Sequence, residues 1–365
     1  MNNIPILYDH QIFQTQIFGG ISRYFCEIME RIDMDFDISI HYNKNYYLKQ
    51  TKLGKSRIDI PPCIFKHFDT KLKNANLNFT NKSLVNTPSY LLHPTYYNPY
   101  FLERIGHNPF VVTVHDMIHE KFASQFNFVD YAAESKKIIL DRASRIIAIS
   151  ENTKKDIIDI LHVNPDKIDI IYHGVSTYSG DERPIKLPNN YILYVGERGG
   201  YKNFDRLLSA FIQLTKDDSN LILICTGRHF RKREITMFKE LGIQNKLINI
   251  SASDAELCYL YKHAKLFVFP SLYEGFGIPI LEAYAYQCPI VLSNTSCFPE
   301  IAGVAGEFFN PYSIQDIVKA MRKVLYDESR RAELVNLGNE RLKQYSWKKA
   351  TKLTEMTYLK TLSEL

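Results

Sequence analysis

In the second half of the chain, short apolar runs rich in β-branched and aromatic residues alternate with stretches of helical period. The runs at 191–195, 221–225, 247–250, 266–269 and 289–292 predict five strands, because each is too short for a buried helix and is bounded by polar, Gly or Pro residues. Between them, 204–214 sets Leu207, Leu208, Phe211 and Leu214 on one helical face, and Ser253 with Glu256 three residues later forms a capping box that opens another helix. This rhythm predicts an α/β domain with a doubly wound parallel sheet, open to ligands at the carboxyl ends of its strands. The first half repeats the pattern less regularly, with strands at 4–8, 38–42, 110–114, 146–149 and 168–172 and helices at 19–32 and ending near Arg142. Residues 175–190 are polar, contain two Pro and one Gly, carry neither period and predict the interdomain linker. After Tyr312 the pattern is mostly helical. A last amphipathic helix, 347–362, follows a Ser346 cap with no strand after it, so its apolar face needs another surface to cover.

Composition agrees with two globular domains: 365 residues, 45% hydrophobic and 23% charged, exclude a disordered, collagen-like or disulfide-scaffold chain. The longest apolar runs fall far short of the roughly 18 residues that cross a bilayer. No basic-then-apolar leader is visible, so a cytoplasmic location is expected. Cys26, Cys63, Cys225, Cys258, Cys288 and Cys297 are scattered without a C-x-x-C pair and are expected to be mostly small buried hydrophobes. No His, Asp or Glu cluster has metal-ligand spacing; Asp33-Met34-Asp35 is formally D-x-D but sits in a short polar turn and reads as solvated. Neither G-x-S-x-G nor G-x-x-x-x-G-K-[ST] occurs, which removes common hydrolase and P-loop readings. Charge is concentrated: residues 41–82 hold nine Lys or Arg against two Asp, a net +7 that exceeds the +5 of the whole chain. With Tyr42, Tyr46, Tyr47, Phe65, Phe68 and Phe79 interleaved, this segment reads as a solvated insertion, a lipid-facing surface or a phosphate grip, with nucleic acid set behind all three.

Four places carry chemistry. Gly19-Gly20 opens a helix after the first strand, where free N–H groups could meet a phosphate and where two glycines could equally serve a tight turn. Gly196 to Asn203 (GERGGYKN) follows a strand and precedes a helix; Arg198 offers a bidentate fork and Lys202 a point charge where the helix dipole favours an anion, against the plain alternative of two solvated loop cations. In Ser271 to Glu282 (SLYEGFGIPILE), Glu274 hangs over the sheet's carboxyl edge and Glu282 lies on the following helix, with the N–H groups of a glycine-bracketed turn between them. One carboxylate suits a sugar hydroxyl and the other a ribose diol. His115 and Asp116 stand at the end of a first-domain strand, a position that favours function over a structural histidine.

G-G near the start, H-D after a mid-domain strand, S-E-N-T-K-K-D at 150–156, Y-H-G-V at 172–175, V-G-E-R-G-G-Y-K-N at 195–203 and E-G-F-G-I-P-I-L-E at 274–282 together resemble glycosyltransferase family 4 over nearly the whole chain. The resemblance implies a GT-B fold: two Rossmann-like domains facing an interdomain cleft, with a C-terminal crossover helix. Residues 1–175 would form the acceptor-binding domain, 176–345 the nucleotide-sugar-binding domain and 346–365 the helix crossing back. It implies a retaining, metal-independent hexosyltransferase without a cofactor, the nucleotide-sugar donor being a substrate. Arg198 and Lys202 would neutralise the donor diphosphate and the charge that grows on it. Glu274 would hold the transferred sugar, Glu282 the ribose, the backbone of Phe276, Gly277 and Ile278 the sugar and phosphate oxygens, Gly19 and Gly20 the diphosphate, and His115 the donor sugar, with Asp116 supporting its loop.

The wording R-G-G-Y-K-N resembles mannosyl-type members, which makes GDP-mannose the leading donor and a UDP-sugar the next. Residues 42–88 match nothing in the family pattern, so the acceptor is open; the basic, aromatic segment 41–82 suits a glycan or polyprenyl-diphosphate-linked acceptor at the anionic inner membrane face. Surface polysaccharide assembly, lipopolysaccharide included, is the expected process. Two other readings stand beside this one: a different GT-B enzyme, such as a nucleotide-sugar epimerase or a phosphorylase, and a catalytically silent nucleotide-sugar-binding module.

Overall fold

Short parallel strands build the first of two compact units: β1 Ile6–Asp9, β2 Phe36–Ser39, β3 Tyr42–Asn43, β4 Ile58–Asp59, β5 Leu91–His93, β6 Val111–Val114, β7 Arg145–Ala148 and β8 Ile168–Ile170. The computed structural model describes residues 4–52, 54, 57–125, 131–177 and 185–364; Lys55 of the basic segment and residues 178–184 of the predicted linker lie outside them. The units are Met1–Gly174 with Ser346–Leu365, and Val175–Tyr345. In the first, β2, β1 and β5 lie side by side, as do β6, β7 and β8, and a parallel bridge from Leu92 to Phe110 joins the two triplets. β1, β5, β6 and β7 are buried along their whole length, as strands covered on both faces of a parallel sheet are.

The predicted strand 38–42 is displaced. The chain pairs over Phe36–Ser39, and Tyr42–Asn43 pairs instead with Ile58–Asp59 in a separate two-stranded ribbon. β2 is an edge strand, so it tolerates the exposed Asp37, whose carboxylate takes the Arg57 guanidinium at 2.6 Å. β5 was not predicted: three residues ending in His93 are too few to show a period.

The second unit contains β9 Tyr191–Val195, β10 Ile222–Thr226, β11 Leu247–Ile250, β12 Leu266–Phe269, β13 Ile290–Ser293 and β14 Glu307–Phe309, all parallel, in the order β11-β10-β9-β12-β13-β14. Three of these match their predicted bounds, two are shifted by one residue, and β14, a three-residue edge strand, had no sequence signal. Helix Phe204–Asp217 buries Phe204, Leu207, Leu208, Phe211 and Leu214 against Ile192, Leu223 and Val268, at about 1.5–3 kcal/mol for each large side chain.

The last helix, Trp347–Ser363, finds its surface in the first unit. Ser346 caps it by accepting the Lys349 N–H at 3.2 Å, and Trp347, Ala350 and Tyr358 enter the core formed by Tyr8, Phe25, Val111 and Ile147. The Tyr358 hydroxyl meets His93 Nδ1 at 2.6 Å and the Tyr8 hydroxyl at 3.0 Å. Gly174, where the chain leaves this unit, is the reason for the glycine in Y-H-G-V: a Cβ there would stand 2.1 Å from the backbone nitrogen of Trp347, where the chain returns. Among the described residues no helix is long and apolar enough to cross a membrane.

Candidate active site

From β9 the chain of the second unit winds outward through β10 and β11, then returns to place β12 on the other side of β9. At such a reversal the loops leaving the two central strands diverge and open a crevice beyond the sheet's carboxyl edge. The loops after β9 and β12 carry the two sequence motifs. They are stitched together by side chains that the sequence reading left without roles. Asn203, in the left-handed region at φ 57°, donates from its side-chain nitrogen to the carbonyls of Pro270 at 3.1 Å and Pro311 at 2.8 Å. The Leu272 N–H reaches the Tyr201 carbonyl at 2.7 Å. From the loop after β13, Ser296 Oγ donates to the Glu274 carbonyl at 2.7 Å and accepts its N–H at 3.2 Å, and Thr295 Oγ1 donates to the Leu272 carbonyl at 3.0 Å.

This framework brings Lys202 and Glu274 together: Nζ lies 2.6 Å from Oε1, with both side chains mostly buried. Each charge is met by the other. An oxyanion arriving at Lys202 would release Glu274 to accept from hydroxyl groups, so one loop contact can serve both halves of a ligand that joins phosphate to sugar. Gly277 turns the chain into helix Ile278–Ala285 at φ 84°. A Cβ there would be strained and would press on Ile280, Phe269 and Phe298 at 3.2–3.3 Å, so glycine is required. Phe276 is buried and meets the Tyr345 ring edge-on at 5.9 Å, which fixes the turn whose N–H groups precede Ile278. Glu282, half-buried on that helix, accepts from the Tyr261 hydroxyl at 3.2 Å.

Arg198 does not stand beside Lys202 as a second phosphate cation. Its side chain is fully buried: Nε donates to Glu234 at 2.9 Å, Nη2 to the carbonyls of Arg228 at 2.6 Å and His229 at 3.2 Å, and the guanidinium lies 4.8 Å from the Phe230 ring centre. Nη1 is buried without a hydrogen-bond partner. Burial alone would raise the Glu234 pKa; the Arg198 hydrogen bond and the Arg231 N–H outweigh it and hold the carboxyl below its ordinary value. Sequence reading missed Glu234, although a Glu three residues after Arg231 at the start of an amphipathic helix is a visible first-turn signal.

In the first unit, His115 follows β6 in an aromatic nest, with its ring 5.1 Å from Tyr24, 6.0 Å from Phe25 and stacked at 6.2 Å on His173. The Tyr97 hydroxyl accepts its backbone N–H at 2.9 Å. Nε2 is buried without a hydrogen-bond partner, and burial, helped by His173, His93 and Lys136, pushes the pKa well below 6.5. His115 is therefore neutral at pH 7. Asp116 accepts the Ile118 N–H at 3.0 Å, a loop-supporting contact. Gly19 precedes helix Gly20–Met29, whose Ser22 N–H is taken by Gln16 Oε1 at 3.1 Å, so a neutral oxygen occupies the helix N-terminus that the motif offers to an anion. Asp33 and Asp35 are exposed, and no metal-binding cluster of His, Cys, Asp or Glu occurs among the described residues. None of the six cysteines forms a disulfide; five are buried and Cys63 is exposed.

Two family models match in succession: Glycosyltransferase Family 4 over residues 18–178 and Glycosyl transferases group 1 over residues 180–341. The chain is 29% identical to O-antigen chain mannosyltransferase B of Escherichia coli over 93% of its own length and 95% of that protein. It is 28% identical to the serotype-specific mannosyltransferase WbdA of Escherichia coli over 65% of its length, and spans 32% of that longer protein. In fold it is similar to the sucrose-phosphate synthase of Thermosynechococcus elongatus, with a TM-score of 0.75 at 18% identity, covering 99% of this chain and 100% of that one. With two parallel doubly wound sheets, a helix returning to the first unit and both family models in order along the chain, the protein has the GT-B fold and belongs to glycosyltransferase family 4.

Proposed function

We propose that this glycosyltransferase of polysaccharide biosynthesis is a retaining, metal-independent hexosyltransferase that moves mannose from GDP-mannose to a glycan or polyprenyl-diphosphate-linked acceptor. The observation that carries the reading is the Lys202–Glu274 pair at 2.6 Å on the reversal point of the second sheet. Lys202 meets the diphosphate and stabilises the charge that grows on it as the glycosidic bond breaks, a preorganised electrostatic role. Glu274, released from the lysine, holds hydroxyls of the transferred sugar. Glu282 takes the ribose, and the N–H groups of the Phe276-Gly277-Ile278 turn take sugar and phosphate oxygens. Arg198, buried and neutralised by Glu234, supports the loop that presents Lys202 instead of meeting the diphosphate itself. His115, neutral and with a buried Nε2 that has no protein partner, is suited to a single hydrogen bond with a sugar hydroxyl. The leaving phosphate takes the acceptor's proton on the same face, so Glu274 forms no covalent bond. Mannose is supported by the likeness to O-antigen chain mannosyltransferase B and to the serotype-specific mannosyltransferase WbdA. A peripheral place on an anionic membrane is supported by the exposed Ile64 and Phe68 beside Lys66 and Lys71 in the basic segment.

The test is a thermal-shift panel of GDP, UDP, ADP, CMP and their common sugars, with and without EDTA. A ligand that binds only the native state raises Tm by mass action. The expected result is a rise with GDP and GDP-mannose that EDTA leaves unchanged. A rise confined to UDP compounds overturns the donor. Loss of the shift on chelation, restored by Mg²⁺, overturns metal independence, and no shift with any nucleotide overturns the nucleotide-sugar reading of the site.

A further inference from the structure

The first unit has its own strand-order reversal. From β1 the chain goes to β2 on one side and later returns to β5 on the other, so β1 and β5 are the neighbours beyond whose carboxyl ends a doubly wound sheet opens a crevice. A cavity of 370 Å³ lies there, lined by His10 and Gln11 directly after β1, by Tyr96, Tyr97 and Tyr100 after β5, and by Asn74 on helix Asp69–Asn86. Its size falls inside the roughly 300–1,000 Å³ of small-molecule pockets.

The walls are preorganised by bonds among themselves. Asp9 Oδ2 accepts from the Gln11 side chain at 2.7 Å and from the Tyr100 hydroxyl at 2.9 Å, Gln11 also binds both backbone groups of Asn98, and His10 Nδ1 lies 2.7 Å from Thr80 Oγ1. The Tyr96 and Tyr97 rings stand 4.8 Å apart, tilted by 36°, with Tyr97 buried and Tyr96 half-buried. Lys73, on the wall, is already paired with Asp69 at 2.6 Å. A phosphate is gripped by converging charged donors, and this lining offers a single, partly exposed lysine among amides, hydroxyls and aromatic faces. Those are the groups that meet a neutral polyhydroxyl ring, its C–H face on an aromatic plane and its hydroxyls on amides.

We propose that this cavity is a subsite for a neutral pyranose of the acceptor glycan, with the Tyr96 ring as its platform and Asn74 at its mouth. The assignment rests on the glycosyltransferase reading and adds the residues that meet the acceptor. Tyr97 links the two, because the hydroxyl of this wall residue also holds the His115 N–H.

Saturation-transfer NMR on the full chain tests it, with methyl α-mannoside and mannobiose as probes and Tyr96→Ala and Asn74→Trp as variants. Asn74 is exposed, so its replacement leaves the fold alone while filling the mouth. Sugar-ring protons should receive saturation from the wild-type protein, and either variant should weaken binding about tenfold. Nucleotide Kd should stay at the wild-type value in both, and Tm should stay at the wild-type value in Asn74→Trp, whereas Tyr96→Ala loses core packing and is compared at a temperature well below its Tm. With an acceptor in hand, acceptor KM should rise while donor KM and kcat hold. Equal sugar signals in variants and wild type, or no signal from either probe with the wild type, overturns the subsite even if nucleotides bind and sugar is transferred. Failure of the underlying reading has a different signature: wild-type protein that neither binds a nucleotide nor transfers a sugar, in which case both fall.

Discussion

Lys202 and Glu274 are 72 positions apart in the chain and 2.6 Å apart in the fold. In the proposed role Lys202 meets the leaving diphosphate, and on that reading Lys202→Ala should lower kcat/KM by about two orders of magnitude, about 3 kcal/mol of transition-state stabilisation, with unchanged circular dichroism. Wild-type kinetics in that variant would remove Lys202 from the site. Arg198 illustrates a different balance. Its guanidinium is fully buried and compensated by Glu234. Glu234→Ala would leave that charge buried and unpaired, and should cost about 3 kcal/mol or more in urea unfolding, whereas Glu234→Gln, which keeps an acceptor, should cost less. An unchanged urea midpoint in Glu234→Ala would show that solvent or another group replaces the carboxylate without loss.

Elements locked by buried polar contacts make sharper tests than those locked by apolar burial alone. The final helix enters the first unit with Tyr358 fully buried, its hydroxyl between His93 Nδ1 and the Tyr8 hydroxyl. Tyr358→Phe keeps the ring and removes the oxygen, stranding two buried polar groups, and should cost about 1–3 kcal/mol in chemical denaturation. If stability is untouched, the helix is held by its apolar face alone. The caps of this level were visible in the chain: Ser253 Oγ accepts the Glu256 N–H while the Ser253 N–H donates to the Glu256 carboxylate, and Ser346 opens the last helix. β5 and β14 were not visible, because three residues show no period and their identity as strands comes from the neighbours that pair with them.

At the scale of the molecule, the first unit encloses a set of neutral histidines. Burial lowers His93 and His173 to about 3 and His115 well below 6.5. A histidine held neutral in the fold leaves the unfolded chain binding more protons below about pH 6.5, so its contribution to stability is intact above that pH and is lost as pH falls. Each should cost up to about 1.4 kcal/mol per pH unit in that range. Urea midpoints measured from about pH 7 down to about pH 5 should therefore fall steeply. A flat profile would mean that the histidines already reach water.

The sequence by itself determined the fold class and where its loops carry chemistry. Period-2 and period-3.6 patterns are local, and glycines, caps and charged residues at strand ends are read within a few positions, so β9, β11 and β12 and the motifs after β9 and β12 could be placed from the chain alone. Tertiary structure decided which charges meet. Arg198 and Lys202 sit four residues apart in one loop, yet one turns inward to Glu234 and the other across to Glu274, because the partner that lowers each charge's energy comes from a distant element. It also decided that Asn203, Ser296 and Thr295 serve as the stitches of the site and that a cavity opens beyond the carboxyl ends of β1 and β5. Such contacts depend on strand order, which no run of residues encodes locally, since it follows from which sheet edge is still free when each strand arrives.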